Sequence, residues 1–119
     1  MSDVITAEKR PGTAIRVDFL YWEDCPSHER ALEMLREVIA DEGVEADVHL
    51  EEVLTEEDAE RLRFPGSPTI RVADRDIVEG AEGPYGLTCR AFRLPTGKIS
   101  PLPPRESIVE AIRDRKSVV

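Results

Sequence analysis

The sequence predicts an α/β fold with a mixed β-sheet and helices on both faces of that sheet. Stretches in which apolar and polar residues alternate are followed by stretches in which apolar residues recur at helical spacing. The resulting order is strand, helix, strand, helix, hairpin and final helix, which is typical of helices packed against a mixed sheet. No repeat, low-complexity tract or long linker interrupts this order in the 119 residues. We therefore expect one domain over residues 14–119, preceded by a flexible polar leader over residues 1–13.

The first strand and the first helix are predicted by a clear change of period. Residues 14–21 (AIRVDFLY) alternate apolar and polar side chains and include β-branched and aromatic residues, as strands do. Residues 26–42 repeat apolar positions at helical spacing and stop before Gly43, which predicts an amphipathic helix. Pro26 suits the first turn of this helix, because the N–H group that proline lacks has no partner there.

A second strand and a second helix follow. Residues 46–53 (ADVHLEEV) alternate weakly and predict a strand. Thr55, followed closely by acidic residues, is typical of a helix N-terminus. The helix TEEDAERLR that begins there must end before Pro65, because the residue before a proline disfavours helical geometry.

The second half of the chain predicts a hairpin, a loop, a further strand and a last helix. Residues 69–72 form a third strand, residues 73–76 a hairpin turn and residues 77–78 the returning strand. Residues 79–86 hold three glycines and a proline and predict a loop, whereas residues 87–94 (LTCRAFRL) alternate again. A turn at PTGK precedes a helix that opens at Pro103-Pro104 and carries the apolar residues Ile108, Val109, Ala111 and Ile112.

Composition and charge exclude several classes of protein. Hydrophobic residues make up 40% of the chain and charged residues 34%, which is too apolar for a disordered protein. The formal net charge of −9 argues against nucleic acid as a partner, because phosphate binding requires a basic surface. No apolar run is long enough to span a membrane and no secretory pattern opens the chain, so we expect a cytoplasmic protein with no membrane partner. In that reducing compartment, two cysteines are expected as thiols.

The stretch WEDCPSH, residues 22–28, carries the chemistry. Cys25 lies where the first strand gives way to the first helix, and the unpaired N–H groups there stabilise a thiolate and lower the pKa of the thiol. His28, one turn on, could accept a proton or, when protonated, act as a positive partner. Glu23 and Asp24 oppose ionisation, because nearby negative charge disfavours a thiolate. Two plainer interpretations stay open, with Cys25 as a small buried residue at the junction and His28 as a solvated side chain.

Three other side chains around this stretch and the second strand have simpler interpretations. Ser27 is expected to satisfy backbone donors at the start of the helix. Trp22 could wall the site or simply pack against the core. His49 is expected to face solvent or a sheet edge, and a lone histidine does not make a set of metal ligands.

Three motifs together resemble the thioredoxin superfamily: VDF in the first strand, Cys25-Pro26 at the start of the long helix, and Gly66-Ser67-Pro68-Thr69-Ile70 opening the third strand. More closely, YWEDCPSHERALEMLREVI with RFPGSPTIRV and LTCR is similar to a group of short bacterial thioredoxin-like proteins. Some of that group carry selenocysteine at the position of Cys25, and some are labelled alkylmercury lyase-like. The resemblance implies a three-layer α/β/α sandwich with a mixed central sheet of four to five strands.

The resemblance also implies a site. Cys25 would be the catalytic thiol, with His28 assisting proton transfer, and the Ser67–Pro68 peptide would be cis and face the cysteine. A cis peptide there exposes the Ser67 backbone as an edge on which an extended peptide or a tripeptide thiol can lie. The plainer alternative is that Pro68 only occupies the permitted first position of a strand. The residues expected to bind substrate are Trp22, Pro26, Ser67 and Pro68.

The chain departs from thioredoxins at three positions. His28 stands where the second cysteine of the Cys-x-x-Cys motif would be, so no thiol within the motif can resolve a mixed disulfide. Trp22 lies three residues before Cys25 rather than directly before it. Asp18 lies one residue too far from Cys25 to match the buried aspartate of the superfamily, and we do not transfer that role to it.

Cys89 divides the possible mechanisms. It lies in the predicted strand 87–94 on the same side as Leu87 and Ala91, which favours a small core residue. If it instead approaches Cys25, the two thiols could form a resolving disulfide or hold a soft cation such as Hg(II), Zn(II) or Cu(I). A disulfide requires that the two Cα atoms lie within about 7 Å of each other.

Two classes of function follow. The first is a monothiol thiol–disulfide oxidoreductase without cofactor, in which Cys25 attacks a disulfide or peroxide of a protein or small molecule and an external thiol, glutathione or Cys89 resolves the mixed species. The second is a non-catalytic thioredoxin-like binding module or a soft-metal handler without a resident metal. Organomercurial lyases combine two cysteines with an aspartate, and Asp24 adjoins Cys25 here. A monomer or weak dimer is expected in either case.

Overall fold

The computed structural model describes residues 14–78 and 83–116, so the predicted leader over residues 1–13 lies outside the described residues. Within these two ranges three helices and six strands follow one another along the chain. In order they are β1 (Ile15–Tyr21), α1 (His28–Glu42), β2 (Ala46–Glu52), α2 (Glu56–Leu62), β3 (Thr69–Val72), β4 (Arg75–Asp76), β5 (Phe92–Arg93), β6 (Ile99–Ser100) and α3 (Arg105–Lys116).

Four of the strands form one mixed sheet in the order β2-β1-β3-β4. Strand β1 runs parallel to β2 and antiparallel to β3, so that Val17 pairs with Val48 on one side and with Val72 on the other. Strand β4 pairs antiparallel with β3, and β5 and β6 form a separate two-stranded sheet. The structure confirms the predicted α/β class and a mixed sheet of four strands.

The alternation within β1 directs its side chains into two apolar clusters. Ile15, Val17 and Phe19 pack against α1 and α3 in the larger cluster. Leu20 faces the opposite way and packs in a smaller cluster with residues of α2 and the segments that flank it, namely Val53, Ala59 and Phe64. Both ends of β1 are therefore held by burial, which fixes the position of the residues that follow Tyr21.

The helix boundaries differ only slightly from those predicted. Helix α1 begins at His28 rather than at Pro26, which lies one residue before the N-cap Ser27. Helix α2 has Thr55 as its N-cap, and the threonine side chain accepts a hydrogen bond of 3.0 Å from the Asp58 N–H group. The predicted start of α2 at Thr55 is thus confirmed.

The β3–β4 hairpin is tighter than the sequence predicts. Its loop consists of Ala73 and Asp74 alone, and the returning strand begins at Arg75 rather than at Ile77. Both loop residues have positive φ, at 52° and 70°, as two-residue hairpin loops that match the twist of their strands require. The Ala73 N–H group also donates to the Arg16 carbonyl oxygen of β1 at 2.9 Å, so contact with the neighbouring strand supports a conformation that alanine does not favour alone.

The predicted strand over residues 87–94 is wrong in its extent. Cys89 forms an isolated parallel bridge with Ser67, and a regular strand exists only at β5, which pairs with β6 across the predicted PTGK turn. The reason is that the chain changes its hydrogen-bonding partner within this segment, from Ser67 to β6. Of the loop predicted over residues 79–86, residues 83–86 are irregular as expected, and residues 79–82 lie outside the described residues.

Candidate functional site

The site lies where β1 ends and α1 begins. Residues 22–25 form a turn in which the Cys25 N–H group donates to the Trp22 carbonyl oxygen at 3.0 Å. Cys25 stands two residues before the N-cap of α1, which confirms the predicted position just ahead of the first helical turn. Its side chain is fully buried, with 0% of its surface exposed, so the thiol lies beneath other residues.

Two serines surround the Cys25 thiol. Its Sγ atom lies 3.2 Å from the Ser27 hydroxyl oxygen and donates to the Ser67 carbonyl oxygen at 3.4 Å. The prediction that the Ser27 side chain satisfies backbone donors of the helix is wrong, because that side chain makes no capping hydrogen bond. The Ser27 hydroxyl instead turns back to the thiol, and only its carbonyl oxygen serves the helix by accepting from the Ala31 N–H group.

The segment before β3 forms the opposite wall. The Ser67–Pro68 peptide is cis, as the resemblance implies. Ser67, Pro68 and Thr69 are all buried, and the Ser67 hydroxyl accepts a hydrogen bond of 3.0 Å from the Trp22 N–H group. This bond ties the turn that carries Cys25 to the start of β3.

A third segment, residues 88–90, pairs with Ser67 and covers the site. The Ser67 N–H group donates to the Thr88 carbonyl oxygen at 2.8 Å, and the Arg90 N–H group donates to the Ser67 carbonyl oxygen at 2.9 Å. The backbone edge of Ser67 that was expected to receive a substrate is therefore occupied by the chain itself. Cys89, between these two hydrogen bonds, is exposed, so its interpretation as a core residue is wrong.

The Cys25 and Cys89 thiols ionise unequally. Burial opposes ionisation of Cys25, but hydrogen bonds from the Ser27 hydroxyl, the Cys89 thiol, the Ser27 N–H group and the Ser67 side chain outweigh it and lower the pKa of Cys25. The hydrogen bond to Cys25, with burial and the negative charge of Cys25, raises the pKa of Cys89 to about 11. The arrangement favours a thiolate at Cys25 and a protonated donor at Cys89.

His28 is held at the start of α1 by two contacts. Its Nδ1 atom lies 2.7 Å from the Cys25 carbonyl oxygen, and because a carbonyl oxygen only accepts, Nδ1 carries the proton. The imidazole stacks on the ring of Tyr21 at a centroid distance of 4.8 Å. These contacts fix the ring beside the Cys25 backbone, and the predicted part of His28 in proton transfer stays a prediction.

The remaining predicted residues lie at the margin of the site or away from it. Trp22 is half-buried against the smaller apolar cluster, and Pro26 is exposed. His49 is exposed on β2 and lies 3.1 Å from Asp47, in agreement with its expected position at a sheet edge. Asp18 pairs with Arg16 at 3.0 Å.

Sequence reasoning missed the two residues that anchor the covering segment. The Arg90 guanidinium donates to both carboxylate oxygens of Asp76, at 2.9 and 3.2 Å, with little of either side chain exposed. Arg90 lies in a stretch of alternating residues and Asp76 at a hairpin, so nothing in their spacing indicates that they meet. The one signal available was a charged residue directly after Cys89.

The two thiols have no further metal-binding side chains clustered with them in the part of the chain that the structure describes. Within residues 14–78 and 83–116, no group of three or more histidine, cysteine, aspartate or glutamate side chains could hold a metal ion. A soft cation that accepts two sulfur ligands is the kind of metal this pair could hold. Over the same residues, no helix has the length and apolarity needed to cross a membrane.

Comparison of the chain with protein-family models, curated proteins and solved structures gives no match. The chemistry of the site follows from its own geometry. A buried thiol lies just before a helix N-terminus with a cis-proline opposite it, and an exposed second thiol lies on a segment that pairs with the residue before that proline.

Proposed function

We propose that the protein is a thioredoxin-like thiol–disulfide oxidoreductase whose redox pair is Cys25 and Cys89. The observation that carries the proposal is the bridge between Ser67 and Cys89, because Ser67 also accepts from the Cys25 thiol. One residue thus contacts both cysteines, although 63 residues separate them in the sequence.

The thioredoxin-like part of the proposal has two supports. The sheet order is β2-β1-β3-β4, with β2 parallel to β1, β3 antiparallel to β1, and β4 antiparallel to β3. This arrangement is compatible with a three-layer α/β/α sandwich. The larger apolar cluster joins β1 to α1 and α3, and the smaller cluster joins its other face to α2. A cis-proline beside the thiol at the start of β3 adds to the likeness.

The proposed reaction begins from a disulfide between Cys25 and Cys89, formed by two-electron oxidation by a protein or small-molecule disulfide. A substrate thiolate attacks the Cys89 sulfur, because Cys89 is exposed and Cys25 is buried. The sulfur–sulfur bond breaks, and its electron pair leaves with Cys25, whose lowered pKa makes its thiolate the better leaving group. A second substrate thiolate then attacks the substrate sulfur of the mixed disulfide. The substrate departs as a disulfide, and Cys89 takes up a proton.

A mechanism that uses both Cys25 and Cys89 fits the geometry better than the predicted monothiol mechanism. A monothiol mechanism requires an external disulfide to reach the Cys25 sulfur, which has no exposed surface. It would require residues 88–90 to leave Ser67 first. In the paired mechanism the exchange begins at Cys89 without that displacement.

The experiment is equilibration of the purified protein with reduced and oxidised glutathione, followed by acid quenching and intact mass measurement. We expect a species lighter by two hydrogens that neither Cys25→Ser nor Cys89→Ser forms. We also expect Cys25→Ser to trap glutathione on Cys89 more readily than Cys89→Ser traps it on Cys25. Failure of the wild-type protein to form the internal disulfide, with no exchange activity above that of the double serine variant, would rule out the oxidoreductase and leave the non-catalytic binding module.

Soft-metal binding is the second candidate, favoured by the position of both cysteines at Ser67. Hg(II) and Cu(I) are soft cations that thiolates select. A competitive titration of the reduced protein should then show one equivalent of Hg(II) or Cu(I) bound, with binding lost in either single serine variant. No stoichiometric binding, or equal binding by a single variant, would remove this candidate.

A further inference from the structure

We propose that Arg90, held by Asp76, is the positioning residue that keeps Cys89 against Cys25. The inference rests on the proposed redox pair and names the part of the molecule that brings the pair together. It concerns a residue that touches neither substrate nor a reacting sulfur.

The Arg90 side chain is fixed at several points. Its two terminal nitrogens donate to the two Asp76 carboxylate oxygens, at 2.9 and 3.2 Å, and one of them also donates to the Thr69 hydroxyl at 3.4 Å. Its guanidinium carbon lies 5.0 Å from the centre of the Phe92 ring. Only 8% of the Arg90 side chain and 12% of the Asp76 side chain are exposed. A charge pair this deeply buried, with two-point geometry, holds its residues in one arrangement.

The Arg90 backbone is fixed as well. Its N–H group donates to the Ser67 carbonyl oxygen, and the Arg90 backbone lies directly against Gly66, where an added Cβ atom would be 3.2 Å from the Arg90 nitrogen and Cα. Because Cys89 immediately precedes Arg90, a fixed Arg90 leaves Cys89 little freedom to move away from Ser67.

On its N-terminal side the segment follows two anchored residues, since the Gly86 N–H group donates to the Phe64 carbonyl oxygen at 3.1 Å and the Leu87 N–H group donates to the Glu56 carboxylate at 3.3 Å. On its C-terminal side the anchor is the Arg90 side chain. Between Gly83 and Ala91 the bridge at Cys89 is the one piece of regular pairing, and the next strand, β5, begins at Phe92. Without the Arg90 side chain, residues 88–90 would keep their two backbone hydrogen bonds with Ser67 but would lose the side-chain contacts with Asp76 and Thr69. The local concentration of Cys89 at Cys25 should fall accordingly, and the internal disulfide should form less readily.

The test compares Arg90→Gln, Arg90→Lys and Asp76→Asn with the wild-type protein. Asp76→Asn keeps the size of the side chain and removes its charge, and Arg90→Lys keeps the charge but loses the two-point contact. The matched control is Arg71→Gln. Arg71 is also partly buried, but it donates to the Leu62 and Arg63 carbonyl oxygens at the end of α2 rather than to the covering segment.

Two quantities are measured for each variant. The first is the equilibrium constant of the internal disulfide against glutathione. We expect Arg90→Gln and Asp76→Asn to lower it about tenfold, because this constant scales with the effective concentration of one thiol at the other. Arg90→Lys should recover part of this loss, and Arg71→Gln should lose stability without changing the constant. The second is the pKa of Cys25, measured by the ultraviolet absorbance of its thiolate. This pKa should rise in Arg90→Gln, because a displaced Cys89 lowers the pKa of Cys25 less.

The same Arg90→Gln change in a Cys89→Ser background separates positioning from a general structural effect. We expect it to leave the pKa of Cys25 unchanged there, because Arg90 acts through Cys89. An equal rise in both backgrounds, or an unchanged disulfide constant in folded Asp76→Asn, would overturn the inference. Failure of the proposed function gives a different result, because the wild-type protein itself would then form no internal disulfide. The comparison of Cys25 pKa values would still test whether Arg90 positions Cys89.

Discussion

At the scale of single residues, the surroundings of the buried Cys25 thiol favour its ionised form. Burial alone would keep it protonated, yet the hydroxyl and N–H group of Ser27, the Cys89 thiol and the Ser67 side chain all stabilise the thiolate. The contact of the Ser27 side chain is unusual, because a serine at the N-cap commonly hydrogen-bonds to backbone N–H groups of its own helix. Here the Ser27 hydroxyl oxygen lies 3.2 Å from the Cys25 sulfur, and the helix begins without a side-chain cap.

Replacement of Ser27 by alanine should therefore affect the thiol more than the helix. We expect the pKa of Cys25 to rise, because the Ser27 hydroxyl makes the largest of the hydrogen-bond contributions that lower it. Titration of thiolate absorbance in the reduced protein measures it.

The matched control for Ser27→Ala is Thr55→Ala. Thr55 caps α2 with its side chain, so its loss should cost about 1 kcal/mol of unfolding free energy and leave the pKa of Cys25 unchanged. If Ser27→Ala costs as much stability as Thr55→Ala while the pKa of Cys25 stays fixed, the role assigned to Ser27 is wrong.

At the scale of elements, residues 88–90 act as a short covering segment that pairs with the start of β3. The segment can approach so closely because residue 66 is glycine. Gly66 has a φ of 141°, in a region that side chains rarely adopt, and a Cβ atom there would press on the Arg90 backbone. The element that bears Cys89 thus depends on a residue in a different part of the chain.

Gly66→Ala should push residues 88–90 away from Ser67. We expect a loss of about 1–3 kcal/mol in unfolding free energy from backbone strain, together with a lower equilibrium constant for the internal disulfide. Denaturant unfolding and equilibration with glutathione measure the two effects.

Gly97→Ala is the control for this change. Gly97 also has positive φ, at 91°, but nothing lies within 4 Å of an added Cβ atom, so the variant should lose stability alone. Equal effects of the two variants on the disulfide constant would show that the close approach of residues 66 and 90 does not matter.

At the scale of the whole molecule, the two cysteines join distant parts of the chain. A Cys25–Cys89 disulfide would close a loop of about 65 residues, running from the β1–α1 junction through the sheet to the covering segment. In the chain-entropy description, closure of a loop of this length restricts the unfolded state and stabilises the folded one by roughly 4 kcal/mol. Oxidation should therefore change the stability of the entire domain.

We expect the oxidised protein to be more stable than the reduced protein by up to about 4 kcal/mol at mildly acidic pH, and the difference to narrow as pH rises. The folded reduced protein ionises Cys25 at a pH below that of the unfolded chain, so its stability increases as pH rises through the lowered pKa of Cys25. Above the usual thiol value of 9.0 the effect reverses, because Cys89 stays protonated in the folded state up to about pH 11.

Denaturant unfolding of both redox forms over this pH range measures these changes, with the double serine variant as reference. Because the double serine variant has no thiols, its unfolding free energy should show neither the increase through the pKa of Cys25 nor the decrease between about pH 9 and pH 11. An oxidised form that is less stable than the reduced form at acidic pH would contradict the geometry of the pair.

Much of the fold was predictable because the signals are local. The alternation in residues 14–21 and 46–53, the helical period of residues 26–42 and the threonine start of α2 each depend on neighbours a few positions apart. Strand β3 was predicted over its full length. The hairpin turn was predicted to be too long, because the positive φ of Ala73 that allows a two-residue loop is supported by contact with β1 and not by the local sequence.

By itself, the sequence determined the α/β class, the mixed sheet and the position of Cys25 ahead of a helix, because periodicity and helix starts are properties of short stretches. Only the tertiary structure decided that the Ser27 hydroxyl faces the thiol, that Arg90 pairs with Asp76, and that Cys89 lies exposed on Ser67 instead of in the core. These contacts join residues whose spacing carries no period, and they form because buried polar groups must find partners wherever the folded chain brings them together.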